Sequence, residues 1–162
     1  MSALLPALKT CLPSAAMGVL SLLAGCGALP ADHAAHAAAD DSRDMVKFPD
    51  TQRVHTLANM RDHLLVLGLI QEQLAQGAFD QASELAEQRL GLSSLGLHGA
   101  HDVARFMPEG MQAAGTAMHR SASRFALVAK DASVTGDVRA SLAALAQLSQ
   151  ACVACHAAYR IQ

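Results

Sequence analysis

Tryptophan is absent from this chain, tyrosine occurs once and phenylalanine four times. Aromatic packing therefore cannot dominate its core. Charge is sparse as well: Asp, Glu, Lys and Arg make up 16% of 162 residues, and the net charge is −2. A nucleic-acid binder needs a strongly basic face, and this balance excludes one. Alternating Val, Ile and Thr runs are scarce, which argues against a sheet-based core. Ala, Leu, Gln and Glu are abundant instead. These residues lose little on entering a helix, so the composition predicts an all-α fold. The length fits a single domain.

The first thirty residues do not read as part of that fold. One basic residue, Lys9, precedes an apolar run from Ala15 to Ala24. The run is too short to span a bilayer comfortably and suits the apolar segment of an export signal. It stops at Leu23-Ala24-Gly25-Cys26, which resembles a bacterial lipoprotein box. That resemblance implies removal of residues 1–25, acylation of Cys26 and attachment to a membrane through lipid. Gly27 stands where lipoproteins kept in the inner membrane often carry Asp, which favours the outer membrane. Cleavage would leave 11 basic and 14 acidic residues, a net charge of −3, and only Cys152 and Cys155 as unmodified thiols. Export would place those thiols in an oxidising compartment.

Residues 26–49 are small and polar and carry no sustained apolar stripe, so they read as a flexible tether. His33 and His36 are expected to be solvated there. From Pro49 the pattern turns helical. Asp50 or Thr51 can cap a helix running to about Gln76, with Val54, Leu57, Met60, Leu64, Leu67 and Leu74 as its stripe and Gly77 as its stop. Asp80 can cap a second helix with Ala82, Leu85, Ala86 and Leu90 inward. A loop, LGLHGAHDVARFMPEG, follows. Pro108 suits the first turn of a third helix, on which Met111, Ala114 or Gly115, Met118, Ala122 and Phe125 recur. Gly136 breaks it. The last helix is expected from about Asp137 to Tyr159, with Val138, Leu142, Leu145, Leu148, Cys152, Cys155 and Tyr159 inward. Four amphipathic helices joined by short links satisfy every stripe as an up-down-up-down four-helix bundle over residues 50–162.

The chain ends in ACVACHAAYRIQ. On a helix Cys152 and Cys155 are i and i+3, and His156 is i+4 from Cys152, so all three share one face. In an exported protein this pattern reads as covalent haem attachment: two thiols add to the vinyl groups of one porphyrin and the histidine ligates its iron. A redox dithiol would want a βαβ setting at a helix N-terminus. Structural zinc would need two further ligands, for which His98 and His101 are the candidates in a loop where they could equally be solvated. Chance occurrence of a three-residue pattern is the remaining alternative.

CVACHAAYR resembles the C-terminal haem motif of the cytochrome c′ and cytochrome c-556 family, matching it at Cys152, Cys155, His156, Tyr159 and Arg160. The segment VLGLI in the first helix is similar to c-556 sequences, and the likeness covers about residues 50–162. It implies a four-helix periplasmic protein with one covalent haem c, handling single electrons or, in some members, diatomic gases. It also implies that Arg160 lies near the proximal side of the haem and that Tyr159 packs on the porphyrin edge. Their plainer roles are a favourable charge at a helix C-terminus and core filler. Met111 and Met118, with small Ala114 and Gly115, would wall the haem pocket.

The sixth iron position then decides the chemistry. In the family it faces the first helix, and a Met ligand gives a low-spin electron carrier. Alignment registers disagree here: one places Leu57 at that position and another points near Arg61. Met60 is the only Met of the helix, and His63 lies one turn further on. Met60 ligation, His63 ligation and occlusion by Leu57 all stay open, with ordinary core packing as the plain role of Met60.

Three functions compete. The first is a lipid-tethered electron carrier serving periplasmic redox partners. The second is a five-coordinate gas-binding protein, for nitric oxide or carbon monoxide. The third is a haem-free metal-binding lipoprotein using His98, His101 and the thiols. No acid–base constellation converges near the motif, so no enzymatic activity is expected. Family members often form homodimers through the first two helices, but no stripe here marks that surface.

Overall fold

The computed structural model describes residues 41–162. The signal segment, Cys26, His33, His36 and most of the expected tether lie outside the described residues. The chain is mainly helical, as composition predicts. The elements run β1 (Asp44–Val46), α1 (Asp50–Ala75), α2 (Phe79–Arg89), a 3-10 turn (Leu92–Ser94), α3 (Ala100–Ala104), α4 (Glu109–Thr135), α5 (Val138–Ala158) and β2 (Tyr159–Ile161). The four longest helices are those the periodicity predicts, within one to two residues at most ends.

Their caps differ from expectation in part. Pro49 precedes α1 in an extended conformation, and neither Asp50 nor Thr51 caps it; Asp50 sits in the first turn, where its charge complements the helix dipole. Gly77 adopts a left-handed φ of 71°, and the Ala78 amide closes the end on the Gln73 carbonyl at 2.8 Å. Asp80 does not cap α2, which starts at Phe79; it pairs with Lys130 of α4 at 2.8 Å. α5 starts within one residue of the expected place, and Asp137 caps it, its Oδ1 accepting from the Ala140 amide at 2.9 Å.

α1 packs on α2, α2 on α4, and α4 on α5. The main core joins Val66, Ile70 and Leu74 of α1 to Ala82 and Ala86 of α2. It continues through Ala122, Phe125 and Ala129 of α4 to Leu145 and Leu148 of α5. Small alanines let these helices approach closely where bulky side chains are few. The stripe predicted for α1 matches the core only at its C-terminal end, where Leu74 is buried and Leu67 packs against it. Thr56, Val66, Ile70 and Leu74 are buried, whereas Val54 is 58% and Leu64 72% exposed. Apolar residues occur nearly all round this helix, so periodicity alone cannot choose its inner face. Val138 and Leu142 of α5 are likewise exposed, and Ser141 takes the buried place. By length and composition alone α5 is apolar enough to cross a membrane, and little of it is buried among the described residues.

The expected tether is cut short by the fold. β1 pairs in parallel with β2, in the register Asp44–Tyr159, Met45–Arg160 and Val46–Ile161. Val46 and Phe48 form a second core with Val103 and Met111, against which Tyr159 and Ile161 pack. Residues 44–48 therefore belong to the domain, because a short apolar alternation found a partner strand 115 positions away. The same pairing corrects the end of α5. Tyr159 takes an extended conformation, so Tyr159 and Arg160 leave the helix and do not continue the stripe of Cys152 and Cys155.

Candidate functional site

Leu57, Met60, Leu64 and Leu67, predicted to face inward on α1, line a cleft. One cavity of about 230 Å³ is walled by Met60, His63, Leu64 and Leu67 of α1. Ala114, Gly115 and Met118 of α4 close a second side, and Ala151, Cys152, Cys155 and His156 of α5 a third. A neighbouring cavity of about 320 Å³ is lined by Thr56, Leu57, Met60, Met111, Cys155 and His156, and by Arg43, Tyr159, Arg160 and Ile161 at the strand end. Met60, Cys155 and His156 are common to both. The molecule thus divides along its helices. The core fills the half holding residues 66–74, 122–132 and 141–148. The half holding residues 57–67, 111–118 and 151–160 opens into the cleft.

The helix geometry of CVACH delivers what its spacing predicts: both thiols and the imidazole reach one apolar space. Cys152 and Cys155 are half-buried free thiols. Burial pushes the Cys152 thiol pKa up, aided by Cys155 beside it, and burial alone raises that of Cys155. Neither is a ready thiolate of the kind a redox dithiol needs. A Cβ added at Gly115 would meet nothing within 4 Å, so the wall beside Met118 is open. Thiols, imidazole, opposing thioether and apolar walls are the donor set and the surface that a flat, covalently held metalloporphyrin needs. Those residues fit such a group.

Arg43, which no sequence signal singled out, borders the cleft with Arg160. Its Nη1 donates to the His156 carbonyl at 3.4 Å. Asp41 pairs with Arg43 at 2.7 Å and with Arg160 at 3.5 Å. The Arg43 guanidinium holds the Asp41 carboxyl well below the usual range. Arg160 is therefore placed by the strand pairing, which sets it beside Arg43 at the cleft mouth.

His98 and His101 separate. His101 is fully exposed beside Asp102, while His98 is 6% exposed. The segment expected as one loop carries the short helix α3, with His101 on it and His98 before it, and no shared ligand pair forms there. His98 instead meets His63 and His119. The ring centres lie 4.6 Å apart for His63 and His98, 5.4 Å for His98 and His119, and 6.0 Å for His63 and His119. His119 was missed by sequence reading, although its place next to Met118 on a helix with inward Ala122 put it on the inner flank. Burial, then the neighbouring His98 and His119, pushes the His63 pKa down to about 4. Burial first, then His119, lowers that of His98.

Comparison of the chain with family models, with curated proteins and with solved structures finds no match.

Proposed function

We propose that this chain is a c-type haem protein of the bacterial periplasm that carries single electrons. Cys152 and Cys155 would hold the porphyrin by two thioether bonds, His156 would be the proximal iron ligand and Met60 the sixth. The observation that carries this reading is the shared lining of the two cavities: Met60 of α1 borders both together with Cys155 and His156 of α5. Leu57 borders one cavity only, and His63 the other only, which favours Met60 over both. The haem would supply a reversible one-electron couple.

The protein's part is to bind, exclude water and orient. The four long helices would act as an up-down-up-down bundle whose open half receives the cofactor. Leu67 and Met118 would shield one side of it from water. Arg43 and Arg160, which border the second cavity, would supply cations for the porphyrin's carboxylates. Asp41 fixes both guanidiniums and moderates their charge. Thioether ligation by Met60 would raise the potential of the haem, which suits a one-electron carrier. Export, acylation of Cys26 and an outer-membrane tether complete the proposal. A tether would raise the local concentration of the carrier at membrane-bound redox partners.

The test is spectroscopic, on full-length protein matured in a periplasm that attaches haem. Haem that stays with the chain through acid–acetone extraction is expected, and free thiols at both Cys152 and Cys155 would refute the proposal. A low-spin reduced spectrum is expected. A high-spin spectrum with ready carbon monoxide uptake would transfer the reading to gas binding at five-coordinate iron.

A further inference from the structure

The three-histidine cluster is used by none of the chemistry above. It is assembled from α1, the segment before α3, and α4, and of its three members His63 also borders the cleft. Two of its nitrogens, His63 Nε2 and His98 Nε2, are buried with no hydrogen-bond partner. A buried polar atom without a partner costs roughly 1–3 kcal/mol, so two side by side call for an occupant.

The hydrogen bonds around the cluster set the tautomers. His119 Nδ1–H donates to the Leu90 carbonyl at 2.8 Å, since a carbonyl can only accept. Ser94 Oγ gives its proton to the Gly91 carbonyl at 2.7 Å. It is therefore left to accept from His98 Nδ1–H at 3.3 Å. In both neutral rings the proton sits on Nδ1 and the lone pair on Nε2. This is how metal-binding histidines are held, with the distal N–H tied to a carbonyl or hydroxyl and the other nitrogen kept for the ion.

The spacing agrees. Three imidazoles bound through Nε2 at about 2.0–2.1 Å to one ion place their ring centres roughly 4.5–5.5 Å apart. The observed separations are 4.6, 5.4 and 6.0 Å. Among the described residues no group of three His, Cys, Asp or Glu side chains is already arranged to hold a metal ion. The rings must therefore turn about their Cβ–Cγ bonds to converge. Asp62 and Arg89 form an ion pair beside the cluster, so their charges largely offset.

We infer that His63, His98 and His119 form a second metal site, separate from the CVACH motif, that binds one divalent transition ion of the zinc or copper class through three imidazoles. Nitrogen donors without thiolate or carboxylate select such ions over calcium or magnesium. The inference does not depend on haem. It assigns His63 to this ion and leaves the cleft to Met60.

The experiment uses full-length mature protein, treated with chelator, desalted, loaded with Zn²⁺ and desalted again. Metal is then counted by mass spectrometry. One zinc per chain beyond any iron is expected, with a raised thermal midpoint because only the folded state presents all three rings. His98→Ala and His119→Gln are each expected to weaken zinc binding at least about 100-fold. His101→Ala should leave it unchanged. His63→Gln, with folding checked by circular dichroism, gives an independent variant should a change at buried His119 prevent folding. Binding of Cu²⁺ should give an electron paramagnetic resonance spectrum with nitrogen hyperfine structure. A wild type that retains no zinc overturns the inference. So does zinc retained undiminished in folded His98→Ala and His63→Gln, or zinc lost only when Cys152 and Cys155 are replaced.

Discussion

Asn59 Nδ2 on α1 donates to the backbone carbonyl of His98 at 3.0 Å. His55 Nε2, one turn earlier, meets the same carbonyl at 2.8 Å. The next residue, Gly99, has a left-handed φ of 58°, and a Cβ there would approach His55 Nε2 to 3.1 Å. The buried position of His98 is thus held from outside by α1. Asn59→Ala should cost about 1 kcal/mol for the lost bond. Gly99→Ala should cost about 1–2 kcal/mol for its backbone conformation, besides crowding His55. Both act on one contact, so the double variant should lose less than the sum. Denaturant midpoints read all three, and strict additivity would break the proposed coupling.

The sixth-ligand assignment separates two residues one turn apart. Met60→Ala should convert the reduced spectrum from low to high spin and lower the midpoint potential, since a thioether raises it. His63→Ala should leave the spin state unchanged. Potentiometry and visible spectra decide, and a high-spin His63→Ala protein beside a low-spin Met60→Ala protein would reverse the assignment.

Phe48 tests whether the segment before α1 belongs to the fold. It is buried with Val46, Val103 and Met111. Phe48→Ala should cost about 3 kcal/mol, which no solvated tether residue would. It should also speed proteolysis near Tyr159, because β1 holds β2 in place. A thermal midpoint equal to that of wild type would return Phe48 to the tether.

Glu87 supplies a pH dependence. Its carboxylate accepts from the Ser93 amide at 3.1 Å and from the Ser93 hydroxyl at 2.5 Å. Partial burial works to raise its pKa, but hydrogen bonds from Ser123 and Ser93 outweigh it and the net shift is downward. A carboxyl whose pKa is lower folded than unfolded stabilises above the unfolded value, and that stability is lost as pH falls through the folded one. Glu87→Gln should therefore destabilise at pH 7, by under about 1 kcal/mol because the group is largely solvated. The gap to wild type should close at pH values below the usual carboxylate range. Melts at pH 7 and pH 3 measure it; a gap that widens in acid would contradict the assignment.

What the sequence determined by itself is local. Helix propensity, glycine stops and the Asp137 cap fix where helices run, because those terms depend on residues within a few positions. The i, i+3, i+4 spacing fixes that Cys152, Cys155 and His156 leave α5 together, for the same reason. The tertiary structure alone decided what each helix face meets. α1 is apolar nearly all round, so contact with α2 had to choose Val66 and Ile70 for the core and leave Met60 and Leu64 to the cleft. The pairing of Val46 with Ile161 and the gathering of His63, His98 and His119 rest on residues far apart in the chain. No short-range pattern encodes such meetings, since their free energy comes from burial that exists only once the helices have packed.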